Sequence, residues 1–508
     1  MESASLAEPV TGIQVEDKGL KKNAISFLSN IVIGVASTAP AYSLAATLGG
    51  IAGFVAFGSP AIMIIAFFPM LFIAAAYYYM NRADPDCGTT FSWVTRAMGP
   101  RLGWMGGWGI IVTDIIVMPN LAAIAGQYTF QLFGDNNPST FEVTLIGVAW
   151  IVIMTAICYI GIELSARTQQ FLLGAEFFIL VIFSIVALVK VYSGNGIKTS
   201  HHIQASWFNP FAIHGFSNFT EAILLAVFIY WGWDSGVTVN EETENPGTAP
   251  GKAAVVSTFV LVGIYVLVAV AATAYAGPAL LSDNASDVFA PIGHSVLGSG
   301  VDKLLIIAVL TSASASTQTT ILPTARTVLS MARAKAIPTR FGEIHPRYLS
   351  PSVATLAMGG ISIIWYVALT LLSQNVLSDS ILALGLGIAF YYGITGLACV
   401  IFYRRELLKS AKNFFFIGVL PLAGALILFA LFIKSCFDLG KTSAGSTVIF
   451  GIGGPLVIGL GALLIGIPLM LLAQWKLPDF FRRRPEVADP ALVAHSPAGH
   501  SHEGHTHE

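Results

Sequence analysis

Charge is what this sequence lacks. Of its 508 residues only 11% are Asp, Glu, Lys or Arg, and 55% are hydrophobic, where an ordinary globular domain carries about 25% charged residues. That balance excludes a soluble enzyme. The net formal charge of −2 gives no reason to expect nucleic acid. Cysteine is scarce as well: Cys87, Cys158, Cys399 and Cys436 are scattered, without the paired spacing of a disulfide framework or a zinc site, and read as free thiols. The first twenty or so residues are polar and lack a signal-peptide core. No nucleotide-binding loop is present that would drive work with ATP, and no cofactor or metal is called for.

What the chain has in abundance is long apolar runs. A bilayer core about 30 Å thick needs roughly 20 apolar residues per helix, and twelve runs of that kind occur near 24–47, 53–80, 102–131, 141–161, 169–192, 215–240, 252–276, 302–334, 352–373, 379–403, 414–436 and 447–474. An even count puts both termini on one side. With the N-terminus cytoplasmic, 21 of the Lys and Arg residues fall on that side, from Lys18, Lys21 and Lys22 through Arg326, Arg333, Arg404 and Arg405 to Arg484. Only Lys190, Lys198, Lys303, Lys434 and Lys441 fall on the other. Excess positive charge inside is the rule for membrane proteins. The chain therefore divides into a cytoplasmic segment (1–21), a twelve-helix membrane domain (22–475) and a cytoplasmic tail (476–508), in a multi-pass protein of the cytoplasmic membrane.

Two of the runs break their own pattern. The sixth contains Trp231-Gly232-Trp233-Asp234, and the first contains Ser37-Thr38-Ala39-Pro40-Ala41, where proline removes a backbone donor and disfavours helix at the residue before it. Lipid cannot satisfy the N–H and C=O groups that such breaks release, so the breaks face protein, water or ligand. They fall five spans apart, an odd separation. The two segments therefore cross in opposite directions, as in inverted repeats whose discontinuous helices meet near the midplane.

Three stretches then resemble the amino acid-polyamine-organocation superfamily of transporters, over roughly residues 22 to 475. The sixth span holds Phe228, Gly232-Trp233-Asp234, Glu241-Glu242 and Asn245-Pro246. Asp84 to Val94 leads to Gly99-Pro100 and Gly106-Gly107-Trp108, and Arg326 to Pro351 includes Met331 to Pro338 and His345-Pro346-Arg347. The resemblance implies an all-α fold of two inverted five-helix repeats (about 24–192 and 215–403) plus two further helices (about 414–474). It also implies alternating access, with the substrate between the broken first and sixth helices. Carried over residue by residue, Phe228 takes the place of an aromatic gate, and the backbone of Tyr230, Trp231 and Gly232, beside Trp233, offers carbonyls to an ammonium group. Ser37, Thr38, Ala41 and Tyr42 stand at the first break, whose positive helix end suits a carboxylate. The sequence departs from the superfamily in two places. The usual glycine-rich first break is Ser37-Thr-Ala-Pro-Ala41 here, and Glu176 stands where many proton-coupled relatives carry a lysine.

Several polar residues admit two readings. Asp234 caps the lower half-helix or serves gating and proton coupling. Asp114 contacts a cationic substrate group or is an internally hydrogen-bonded acid, and Glu176 is the leading proton carrier. No comparably buried Lys or Arg is evident beside these three acids. Glu163 is solvated or paired with Arg167, and Glu241, Glu242 and Glu244 make gate contacts with basic loops. The hydroxyl-rich Thr311 to Thr320 serves close helix packing or lends oxygens to a sodium ion. His495, His500, His502, His505 and His507 form a solvated appendage or a loose divalent-metal binder. The expected function is import of an amino acid or related organic amine by a secondary transporter, coupled to protons or, through the eighth-span hydroxyls, to sodium. The alternatives are a potassium carrier of the same superfamily and a transporter-like receptor.

Overall fold

The computed structural model describes residues 17–285, 287–372 and 374–485; the five tail histidines lie outside the described residues. The architecture is a helical bundle. In chain order it comprises α1 (Phe27–Ser37), α2 (Pro40–Val55), α3 (Ser59–Ala83), α4 (Thr90–Met98), α5 (Pro100–Leu132), α6 (Thr140–Ile160) and α7 (Ile162–Tyr192). Next come α8 (Phe216–Ile229), α9 (Ser235–Thr238), α10 (Ala249–Asp283), α11 (Phe289–Leu297), α12 (Lys303–Arg333), α13 (Ser352–Leu372) and α14 (Gln374–Phe402). The short α15 (Ala411–Asn413) runs through a π-helical stretch, Phe414–Val419, into α16 (Leu420–Leu439), and α17 (Gly454–Lys476) follows. Among the described residues the only sheet is a two-stranded hairpin, Val448–Ile449 with Ile452–Gly453.

Ten helical stretches among the described residues are long and apolar enough to cross a membrane. One of them, Phe27–Ala83, contains α1, α2 and α3 in 57 residues; the breaks between these helices are too short to interrupt the apolar run, so the first two expected spans merge. α8 is apolar but short, because the chain unwinds after Ile229. α4 and α11 are extra helices that the apolar runs did not contain.

Burial sorts the helices into an inner and an outer set. In their most apolar windows α5 and α12 are 78% buried, whereas α6 is 28% and α17 22% buried. The outer helices expose large apolar side chains such as Phe141, Phe171, Phe178, Ile364 and Trp475, which in water would be an untenable surface and in lipid is the required one. α12 packs on α5, α7 and α6, while α10 packs on α3, α2 and α7. α1 lies within this inner set, against α10, α7, α12 and α9.

Both breaks have identifiable causes. α1 stops at Ser37, Thr38 caps it, and Ala39 takes a left-handed conformation with φ 46° before Pro40 opens α2. Proline suits that first helical position, since its missing N–H would have had no intrahelical partner. A left-handed non-glycine residue costs roughly 1–2 kcal/mol, so the tertiary structure holds Ala39 where a glycine would sit without strain. The second break runs from Tyr230 to Asp234, with Gly232 at φ 117°.

The breaks face each other across a seam of glycines. A methyl group on Gly232 would meet the carbonyl carbon and oxygen of Ser37 at 2.9 Å, one on Gly34 the Trp233 carbonyl at 2.8 Å, and one on Gly236 the Asn30 carbonyl at 2.7 Å. Small residues let membrane helices approach to backbone contact. Here they bring one broken helix directly onto the other.

Candidate functional site at the two helix breaks

At the first break α2 begins with backbone N–H groups that have no carbonyl one turn back. The Ala41 N–H donates to Glu176 Oε1 at 2.6 Å, and the Tyr42 N–H donates to Ser312 Oγ at 3.2 Å. Glu176 comes from the middle of α7 and is fully buried. Its carboxyl, with Ser312 beside it, therefore fills the positive end of α2. The other oxygen, Oε2, has no hydrogen-bond partner.

The remaining groups at this break are tied to the second one. Ser37 Oγ lies 2.8 Å from Ser235 Oγ, and Ser316 Oγ donates to the Ser37 carbonyl at 3.0 Å. The Thr38 hydroxyl returns to the Val35 carbonyl at 2.8 Å. The Tyr265 hydroxyl donates to the Ile229 carbonyl at 2.6 Å and lies 3.1 Å from Thr38 Oγ1, so α10 bridges the end of α8 to the break in α1.

At the second break Asp234 does not cap α9: its side chain makes no hydrogen bond to that helix. Two tyrosines of α14 hold it instead. Tyr392 donates to Oδ1 at 2.7 Å and Tyr391 to Oδ2 at 3.3 Å. The Tyr391 hydroxyl accepts from Trp231 Nε1, and the Tyr392 hydroxyl accepts from the Gly232 N–H at 3.4 Å. Each phenol thus relays a donor of the broken segment to the carboxylate. Tyr77, Trp233 and Tyr392 pack ring against ring within 5.1–5.8 Å, and Trp233 Nε1 is buried without a partner. Tyr230 is turned away, its hydroxyl donating to the Met63 carbonyl of α3 at 3.0 Å. Phe228, in the last turn of α8, is half-buried against the main apolar cluster.

Asp114 accepts from Thr324 Oγ1 of α12 at 2.5 Å and stands close enough to Asp234 for their charges to oppose each other. Among the described residues none of Asp114, Glu176 and Asp234 is ion-paired; every described ion pair uses other acids. The eighth-span hydroxyls are largely consumed locally. Thr317, Thr319 and Thr320 bond back to carbonyls one turn earlier, and Ser312 and Ser316 serve the first break. Ser314 Oγ is buried and unpartnered.

Three expectations need correction. A strongly buried arginine does exist: Arg326, in α12, is 1% exposed and its Nε bonds Glu242 Oε2 at 2.5 Å. Its position near the end of the apolar run gives no sign of that burial. Glu163 is solvent-exposed, but its partner is Lys21 at 2.9 Å rather than Arg167, since the polar N-terminal segment folds back onto the bundle. Asp234 is bound by tyrosines rather than acting as a cap. Glu241 and Glu242 do pair with basic residues, Lys18 and Arg326.

That fold-back forms a charged knot at the bundle end where Asp84 and Asp86 lie. Lys18, 3% exposed, reaches Asp86 at 2.7 Å and Glu241 at 2.5 Å. Burial opposes the Lys18 ammonium, but the charges of Asp86 and Glu241 outweigh it and hold its pKa well above the ordinary value. Burial likewise opposes the Asp86 carboxylate. The Lys18 charge and bonds from Lys18, Ser330 and Ser92 overcome that and hold it well below the usual range. Asp84 differs: burial pushes it up to about 6 in spite of Arg96. The Asp86, Cys87 and Glu241 ligand atoms lie within 4.8 Å of one another, and the Lys18 ammonium already meets their charge.

Of the residues singled out from the sequence, the structure gathers Ser37, Ala41, Tyr42 and Glu176 at one break. It gathers Trp231, Gly232, Trp233 and Asp234 at the other, with Asp114 beside Thr324 nearby. Tyr391 and Tyr392 were missed. Their only sequence signal is a pair of adjacent phenols inside an apolar run.

The amino acid permease family profile matches residues 23–460. A low-affinity putrescine importer of Escherichia coli is 21% identical over 81% of this chain and 88% of its own length. A branched-chain amino acid permease of Bacillus subtilis is 24% identical over 73% of this chain and 78% of its own length. An uncharacterized transporter of Mycobacterium tuberculosis is 26% identical over 57% of this chain, and the match spans 63% of that transporter's length.

Proposed function

Because the chain belongs to the amino acid permease family, we propose that it is a secondary active transporter importing an amino acid or related organic amine across the cytoplasmic membrane by alternating access. The observation that carries the reading is the meeting of two unwound segments deep in the bundle, joined through Ser37 and Ser235 and lined by acids and aromatic rings. Twelve crossings follow when α1–α2 and α3 count as two spans and α8–α9 as one. Residues 1–21 and 476–508 are then cytoplasmic. α1–α7 and α8–α14 are the inverted repeats, and α16 and α17 are the additional helices. Substrate contacts fall to Ser37, Thr38, Ala41, Tyr42, Asp114 and the Tyr230-to-Trp233 backbone, with Phe228 as gate.

Coupling is assigned to protons, with Glu176 as carrier and Asp234 as the gate-linked acid. Hydroxyls already bonded within and between helices favour this over sodium at α12. The test is uptake into proteoliposomes under an imposed pH gradient. Glu176→Gln keeps the shape but fixes the neutral form, so it should retain substrate-for-substrate exchange and lose uphill accumulation. Wild-type pH dependence in that variant removes Glu176 from the coupling role, and strict sodium dependence moves coupling to α12. Counterflow with potassium alone would favour an inorganic cation as the cargo, and ligand binding without any flux would favour a receptor.

A further inference from the structure

The start of α2 is the one place at the breaks where free backbone N–H groups and a positive helix end would hold a substrate's carboxylate. That place is taken. Glu176 Oε1 accepts the Ala41 N–H at 2.6 Å, and Ser312 Oγ accepts the next one, from Tyr42, at 3.2 Å. Pro40 contributes no N–H at all. A substrate carboxylate arriving here would find its donors occupied and a buried acid, with one oxygen unpartnered, already in place.

The rest of the site favours positive charge. Glu176, Asp234 and Asp114 are at most 5% exposed, and among the described residues none has a cationic partner. Trp231, Trp233, Tyr77, Tyr391 and Tyr392 surround the second break, and aromatic faces attract ammonium groups. Buried carboxyls without counter-cations are costly, and a cationic cargo would relieve that cost.

We propose that the cargo is an organic amine without a carboxylate, for which Glu176 supplies from the protein the carboxylate that an amino acid would bring with it. This rests on the transport reading and narrows its substrate class from amino acids and amines to amines alone.

The experiment uses the full chain in proteoliposomes, with matched pairs that differ only in the carboxylate: putrescine and ornithine, cadaverine and lysine, isoamylamine and leucine. Counterflow of each labelled compound is measured alongside ligand-induced thermal stabilisation in detergent. The expected result is at least a tenfold preference for the amine in every transported pair. Glu176→Ala frees the Ala41 N–H and should reduce that preference at least tenfold by improving the amino acid. The wild-type comparison stands even if the variant does not fold. Amino acids moved as well as or better than their amines would overturn the proposal while leaving transport intact. A preference unchanged in a folded Glu176→Ala protein would also overturn it. If both series bind and neither moves, the transport reading fails, and the amine preference in binding still decides the substrate class. If neither binds nor moves, both ideas are refuted.

Discussion

The buried pair Arg326–Glu242 lends itself to a double-mutant cycle. The two side chains are 2% and 1% exposed and meet through a single 2.5 Å contact, Nε to Oε2. Arg326 also donates to the Leu322 carbonyl at 3.3 Å, while Glu242 Oε1 has no partner. Removing one member leaves the other as an uncompensated buried charge, which typically costs 3–5 kcal/mol, whereas replacing both by apolar residues of similar volume is often neutral or stabilising. Arg326→Met and Glu242→Met should therefore each lose roughly 3–5 kcal/mol. The second carboxylate oxygen of Glu242 is buried and already unsatisfied, so the loss for Arg326→Met belongs at the upper end. The double variant should be more stable than either single one. Equilibrium unfolding of the detergent-solubilised protein in denaturant, followed by tryptophan fluorescence, measures all four corners of the cycle. Single losses below about 1 kcal/mol, the scale of exposed pairs, or a double variant whose loss equals the sum of the singles, would refute the reasoning.

Gly232→Ala should abolish uptake and cost about 1–3 kcal/mol from overpacking against Ser37, with added strain at φ 117°; Gly263→Ala, whose methyl would meet nothing within 4 Å, should leave uptake unchanged, and equal effects in a transport assay would refute the seam. Phe228→Ala should cut transport severely in a protein that remains folded, and near-normal flux would pass the gate role to Trp231 or Trp233. For the Lys18 knot the pH signs are opposite at its two ends. The depressed Asp86 carboxyl adds stability that is present above its unfolded value and lost as pH falls below about 4, and the raised Lys18 adds stability present at neutral pH and lost only in strong alkali. Thermal unfolding in the wild type should show that acid loss, and Lys18→Met should diminish it; an acid limb of unchanged size would separate Asp86 from Lys18.

The sequence made the membrane fold legible because a helix in lipid must be apolar for its whole length, so ten helical stretches declare themselves by composition. The breaks were legible for a related reason: Pro40 and Gly232-Trp-Asp234 violate a pattern that lipid otherwise enforces. What composition does not encode is direction. Tyr391 and Tyr392 are ordinary residues of an apolar helix until α14 is rotated against Asp234. Arg326 looked like boundary charge because burial depends on Glu242, 84 residues away in sequence. Lys18 reads only as cytoplasmic charge, since nothing local tells a polar stretch that it will be drawn back over acids at Asp86 and Glu241. Glu176 was singled out, but its place on the Ala41 N–H needed the packing of α7 against α1 beside the break.

Carbonyl oxygens that sit where a single added carbon would already collide leave no room for side chains between the two surfaces. The seam through Gly34, Gly232 and Gly236 therefore makes α1 and α9 one mechanical part. On the transport reading proposed above, any movement that opens the bundle alternately to its two sides would carry these two segments together and keep their spacing.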